Sequence, residues 1–293
     1  RVNPRKLDKA SLFALHAGRA ALLQAGLPTD SLGHRVGVVI GSGLSGLQTL
    51  CDQTERLIRK GPRAVSVFTI PMIMPNAPGA AISMRFGLQG PNETITTACA
   101  ASTHALGYAA RLIQMGYADV IVSGGTESVM SPVGMAGFQN MTALSSSGKS
   151  MPFDKDRDGF MMTEGSATLI LEEMTSAQSR GAHIYGEILG SGSNADAHHI
   201  TAPSPGGNGA LRCMQLAIED AGLAPSDIAS VNAHGTSTPL NDAAEAEALS
   251  KLFGDNGPPV TSTKGVTGHA LGAAGALEAT AVLLSFEIGR AHV

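Results

Sequence analysis

The chain has 293 residues, 43% of them hydrophobic but only 4% aromatic, with no Trp and 36 Gly. That supports a large core of closely packed α/β layers better than a β-sandwich. A formal net charge of −4 excludes a nucleic-acid footprint over the chain as a whole, and no apolar run reaches the ~18 residues of a membrane span. Three cysteines without CxxC spacing, Cys51, Cys99 and Cys213, argue against a disulfide framework and for a reducing, cytoplasmic setting.

Along the chain, residues 7–26 predict an amphipathic helix, with Leu12, Leu15, Ala20, Leu22 and Leu23 as its apolar stripe and Gly26 as its stop. Val36–Ile40 reads as a buried strand, 46–60 as a helix, and Ala64–Ile70 as the next strand. Thr94–Ala98 predicts a strand running into a helix over 99–116, and Asp119–Ser123 a strand ending in Gly124-Gly125. Residues 131–163, rich in Gly, Ser, Met and Asp, form a long excursion of the kind that usually carries function, and Thr168–Leu171 resumes as a strand.

The pattern then starts again. Ile184–Gly190 is strand-like, 207–222 helical, and Val231 lies in a strand. Ala221-Gly222-Leu223 with Pro225 and Asp227 echoes Ala25-Gly26-Leu27 with Pro28 and Asp30, which implies two similar α/β halves. A weaker echo pairs His104-Ala105-Leu106-Gly107 with His269-Ala270-Leu271-Gly272, each expected early in a helix. Residues 269–286 predict a helix apolar nearly all round and therefore buried. The last residues, 287–293, read as a non-native tail.

Gly41-Ser42-Gly43-Leu44-Ser45-Gly46 matches the dinucleotide-binding fingerprint, but no carboxylate closes the following strand, so a nucleotide is not expected there. Cys99 is a stronger candidate. It sits at a strand-to-helix junction among Ala98, Ala100 and Ala101, where a helix N-terminus favours thiolate and backbone N–H groups can meet an oxyanion. Cys51 and Cys213, inside helices, read as structural. His234, Lys264 and His269 each follow a predicted strand or open a helix. Ligands of α/β sheets bind beyond the strand C-termini, so these residues and Cys99 can share a cleft. His198-His199 read as loop surface, and no metal-ligand spacing is present.

Six stretches together resemble the thiolase superfamily, and within it the β-ketoacyl-acyl-carrier-protein synthases of type II fatty-acid synthesis, the synthase II group above all. They are Thr97-Ala98-Cys99, Gly124-Gly125-Thr126-Glu127, Phe153 through Phe160, His234-Gly235-Thr236-Ser237-Thr238, Ser262-Thr263-Lys264, and Gly268 through Gly275. The resemblance runs from about Arg5 to Phe286. It implies a five-layer αβαβα fold of two pseudo-repeated halves, 1–180 and 181–286, with the family's first strand and C-terminal Gly-rich loop falling outside the sequence. A chain truncated in that way is expected to be inactive by itself.

The resemblance also implies the site. Cys99 would be the acyl-accepting nucleophile, and His234 and His269 would promote malonyl decarboxylation. Lys264 would order the histidines, with Glu278 as its ionic partner. Thr236 and Thr238 would bind the phosphopantetheine arm, Leu44 would set acyl-pocket depth, and Phe138 would belong to a gating loop. Arg5, Lys6 and Arg63 are candidates for docking an acidic acyl-carrier protein. A homodimer is expected, with no cofactor beyond the carrier's own phosphopantetheine. The rival readings are a polyketide ketosynthase and a non-catalytic partner subunit of a ketosynthase heterodimer; Cys99 speaks against the second.

Overall fold

A computed structural model describes every residue except 1, 2, 4, 5, 30, 31 and 289–293. Arg5, Asp30 and most of the expected tail thus lie outside the described residues. The chain forms two compact units, one from residues 1–137, 163–184 and 270–280, the other from 138–162, 185–269 and 281–293.

The first unit runs α1 (Lys9–Gln24), β1 (Val36–Gly41), α2 (Leu47–Lys60), α3 (Thr69–Ile73), α4 (Ala77–Phe86), β2 (Asn92–Ile95), α5 (Ala101–Gln114) and β3 (Val120–Glu127). After α6 (Pro132–Asn140), which crosses the unit boundary, it resumes with β4 (Gly165–Glu172) and α7 (Met174–Ser179). Its sheet has the order β2-β1-β3-β4. β1 is parallel to both β2 and β3, and β4 returns antiparallel along β3. β1 and β3 are buried along their whole length, as strands covered on both faces must be. Alternation divides their side chains. Val36, Val38 and Ile40 meet Ala14 and Leu22 of α1 and Ile82 and Phe86 of α4. Val39 and Ile121 meet Ala105, Ala109 and Leu112 of α5 on the other face.

Asp8 caps α1 by accepting from the Ala10 N–H. The face that α1 buries differs from the expected leucine stripe. It is Ala10, Ala14, Gly18 and Leu22, spaced four apart, while Leu12 and Leu23 are exposed. Small residues at 10, 14 and 18 let this helix lie close on the sheet, where leucines would hold it off, and Leu22 alone of the expected stripe is fully buried.

Two expected strands are absent. Ala64–Ile70 runs from the end of a 3-10 turn (Pro62–Ala64) into the first two residues of α3. The Phe68 and Thr69 amides donate to Ser66 Oγ and O, so a local serine turn takes up the backbone. Val67 and Ile70, 85% and 63% exposed, bury no sheet face. Ile184–Gly190 likewise carries no ladder. Its continuation is spent on a helix end, Ser191 N–H donating to Asp220 at 2.8 Å.

The second unit contains α8 (Asn208–Asp220), β5 (Val231–Asn232), α9 (Pro239–Phe253), β6 (Val260–Thr261) and α10 (Lys264–Thr267). β5 and β6 pair in parallel, and α8 packs on α9. α11 (Ala274–Glu287) begins five residues later than the helix expected from 269, and only Ala274, Gly275 and Ala276 in it are buried. Leu284 and Phe286 are 48% and 54% exposed.

Candidate active site

Cys99 stands in a 3-10 turn, Ala98–Ala100, that leads directly into α5. Ala98, just before it, has φ 49°, a left-handed conformation that costs a non-glycine residue energy and marks a sharp elbow. The sheet seats this elbow through two glycines. A Cβ on Gly41, at the end of β1, would lie 2.4 Å from the Ala101 carbonyl carbon, and one on Gly125 of β3 2.4 Å from Ser102 Cβ. Only glycine lets the first residues of α5 rest on the strand ends, and the thiol is thereby held beyond the C-terminal edge of the sheet.

A second turn of the same construction, Leu271–Ala273, opens with Leu271 at φ 45° and leads into α11. It packs against Ala98–Ala100. Gly272 therefore stands where Cys99 stands in the other turn. The pairing of His104 with His269 dissolves, because His104 lies within α5 and His269 precedes its turn. His104 Nδ1 instead shares a hydrogen bond with Thr97 Oγ1, 2.8 Å away.

Within the second unit the histidines come together. The His234 and His269 rings meet edge to face with centroids 5.4 Å apart. Lys264 Nζ is 3.3 Å from His234 Nδ1. An ammonium can only donate, so His234 accepts at Nδ1 and carries its proton on Nε2. Lys264 and His269 are each 1% exposed. Burial first, and the Lys264 charge second, push His234 down to about 3. Burial, then His234 and Lys264, hold His269 well below its ordinary value. Both rings are therefore neutral near pH 7, and each keeps one N–H to donate.

Their backbone is held from α9 and from the long excursion. Glu245 accepts the His234 and Gly235 amides at 2.7 and 2.8 Å. The His269 amide donates to Met161 O at 2.8 Å. Phe160 lies edge-on to His269, ring centroids 5.1 Å apart, and Phe138 edge-on to Phe160 at 5.7 Å. Thr236 and Thr238 share a hydroxyl hydrogen bond of 2.8 Å, and Ser237 between them is left-handed at φ 67°. Asp242 fixes that kink, accepting from Ser237 N and, at 2.7 Å, from Phe153 N.

The fingerprint glycines do not form a phosphate cradle. Glu127, fully buried, takes the Gly43 and Leu44 amides at 2.7 and 3.0 Å. A carboxylate occupying these two donors would compete with a phosphate and repel it. Leu44 itself is 47% exposed. Glu278 lies on α11. Lys6 is exposed with Nζ 4.3 Å above the Phe68 ring, and Arg63 is exposed in the 62–64 turn. Cys51 lies on α2 and Cys213 on α8, as expected; His198 and His199 are exposed.

The sequence alone assigns no role to Glu127, Asp242, Glu245 or Phe160. Glu127 and Phe160 fall in stretches that carried the resemblance. Asp242 and Glu245 follow the His234 motif as ordinary helix residues, with nothing local to distinguish them.

The model of the β-ketoacyl synthase N-terminal domain matches residues 1–177, and that of the β-ketoacyl synthase C-terminal domain residues 185–292. A 3-oxoacyl-[acyl-carrier-protein] synthase 2 from Synechocystis sp. is 44% identical over 293 residues, 97% of this chain and 70% of that protein. The ishigamide ketosynthase/chain length factor superposes with a TM-score of 0.92 at 35% identity, over 98% of this chain and 71% of that one. A type II polyketide ketosynthase, solved with its acyl-carrier protein, gives 0.89 at 34% identity, over 96% and 72%. An N-terminal half with the Cys99 elbow, a C-terminal half with paired histidines, and matches across both make this thiolase-like α/β chain a member of the β-ketoacyl synthase family, the condensing acyltransferases.

Proposed function

We propose that this sequence, in a protein of its relatives' full length, catalyses decarboxylative condensation of an acyl thioester with malonyl-acyl-carrier protein in fatty-acid elongation. The observation that carries this reading is the pair of neutral, packed imidazoles beside a buried ammonium. Hydrolysis would favour a base able to take up a proton near neutral pH, whereas a pair held neutral is suited to donating hydrogen bonds to a developing enolate. Chain continuity supports bringing Cys99 into the same site. His269 is two residues before Leu271, in the turn that packs on the Cys99 elbow, and each residue adds at most ~3.8 Å.

In this mechanism the Cys99 sulfur forms a bond to the acyl carbonyl, and the carrier's phosphopantetheine thiol leaves. Malonyl-carrier then loses CO₂, and the electron pair of the broken C–C bond passes into an enolate whose oxygen receives the His234 and His269 N–H bonds. The enolate carbon attacks the acyl-Cys99 carbonyl, the β-ketoacyl-carrier departs, and the thiolate is restored. Lys264 keeps His234 in the donating tautomer, and we pair its charge with Glu278. Thr236 and Thr238 receive the phosphopantetheine arm, Leu44 meets the acyl chain, and Phe138 gates it. No cofactor enters any step. The working form is a cytoplasmic homodimer. A polyketide substrate is the second reading, favoured by the polyketide ketosynthase among the similar structures.

Incubation with an acyl-carrier thioester should place the acyl group on Cys99, read by peptide mass spectrometry. Cys213 should stay unlabelled, because burial pushes its thiol up and its Sγ is bonded to Gly192 O. Acylation of Cys51 or Cys213 in its place would defeat the assignment. Lys6 and Arg63 dock the acidic carrier in this reading. K6E and R63E should raise KM for the carrier several-fold with kcat held, and should flatten its salt dependence. An unchanged salt slope would remove both residues from the docking surface.

A further inference from the structure

Among the described residues, Glu127 is a buried acid that the proposed reaction does not use, and it belongs to the first unit. Its carboxylate is fully buried at the end of β3. Oε2 accepts from the Gly43 amide at 2.7 Å and the Gly272 amide at 3.1 Å. Oε1 accepts from the Leu44 amide at 3.0 Å and, at a long 3.4 Å, from the Ser42 hydroxyl. Two turns that are far apart in sequence are thus tied to one side chain. Both flank the elbow. The 271–273 turn packs on Ala98–Ala100, and a Cβ placed on Gly43 would come within 3.8 Å of Ala98 Cα.

We propose that Glu127 is a positioning residue that clamps the Ser42–Leu44 turn and the Leu271–Ala273 turn around the Cys99 elbow, and so sets both thiol placement and acyl-chain selectivity. The proposal rests on the condensing activity put forward above. Three features make the clamp specific. The carboxylate is acceptor-only, so it can take all of these donors at once, whereas an amide would aim two N–H groups at other N–H groups. The packing leaves no room for drift: a Cβ on Gly43 or on Gly272 would lie 2.7 Å from Oε2. Finally, the Leu44 amide is one of the held donors, so moving the carboxylate moves the residue that meets the acyl chain.

E127Q keeps the volume of the side chain and breaks the donor–acceptor match. The test compares wild type and E127Q for acylation of Cys99 by a short and a long acyl thioester, with iodoacetamide titration counting the competent thiols. The expected result is a drop in acylation of about 10-fold or more per competent thiol, with the long-to-short rate ratio shifted at least several-fold. E127D, which keeps the charge, should recover part of both. A purely structural role would lower the count of competent thiols and leave the ratio unchanged, and that result would overturn the proposal. If E127Q does not fold, E127D, with its carboxylate withdrawn by one methylene, is read against the same ratio. Wild type that is not acylated on Cys99 sinks the functional reading itself; wild type that is acylated, with an unshifted ratio in the variants, sinks only the clamp.

Discussion

Replacing Cys99 by Ala is expected to lower condensation by roughly 10⁴-fold or more, the scale on which losing a nucleophile collapses a covalent mechanism. No other thiol can stand in. Cys51 and Cys213 lie within α2 and α8 rather than on an elbow. The same variant should keep its fold, because the residues that seat the elbow are Gly41 and Gly125 against Ala101 and Ser102, not the thiol. Malonyl-carrier decarboxylation should survive in C99A, since in the proposed mechanism the enolate donors are the histidines. Single-turnover assays with labelled acyl-carrier and labelled malonyl-carrier separate the two half-reactions. Condensation persisting within tenfold of wild type in C99A would exclude a Cys99 acyl intermediate.

Substituting either histidine should strike the other half-reaction. On the proposed mechanism H234A and H269A each remove one preorganised donor from the enolate, a loss that typically costs roughly 10²–10³ in rate. Acylation of Cys99 should persist in both. The two losses should be far from additive, because the rings touch and work as a unit.

The pH dependence follows from the same burial. Burial, and then the Lys264 charge, push His234 down to about 3 from its ordinary 6.5. Its neutral form is therefore the one that folding favours. That contribution to stability is complete above about pH 6.5 and is lost as pH falls from there toward 3. Thermal unfolding followed between pH 7 and 4 should show the decline. Decarboxylation should not lose activity between pH 7 and 5 through histidine protonation. In K264M the ammonium that adds to the depression is gone, so His234 should move upward, though only in part, because burial is the larger cause. An acidic limb should then enter the decarboxylation profile nearer neutral pH. An identical profile in K264M would remove Lys264 from the histidine network.

Much of this site was legible from local pattern. A strand, a small-residue turn and a helix start announced Cys99, and the structure puts the elbow there, with Ala98 at φ 49° as the strained link. The His234 and Lys264 motifs follow β5 and β6 as expected, although each strand has only 2 residues. The sequence did not display what meets the Gly41–Gly46 turn: Glu127, 84 residues from Gly43, holds its amide. The segment 64–70 misled because a β-branched run specifies a strand only when a sheet edge takes it up. Here Ser66 bonds took the backbone first.

By itself, then, the sequence determined the family, the α/β alternation and which thiol and imidazoles are the candidates for the chemistry, because these depend on residue type and short spacing. The tertiary structure alone decided which face of α1 is buried, which carboxylate ties the turns, and that both imidazoles are neutral. The Gly272 amide reaches Glu127 across 145 residues of chain. No local periodicity encodes a contact of that span. A pKa shift arises from desolvation, and desolvation exists only once distant segments have closed over the group.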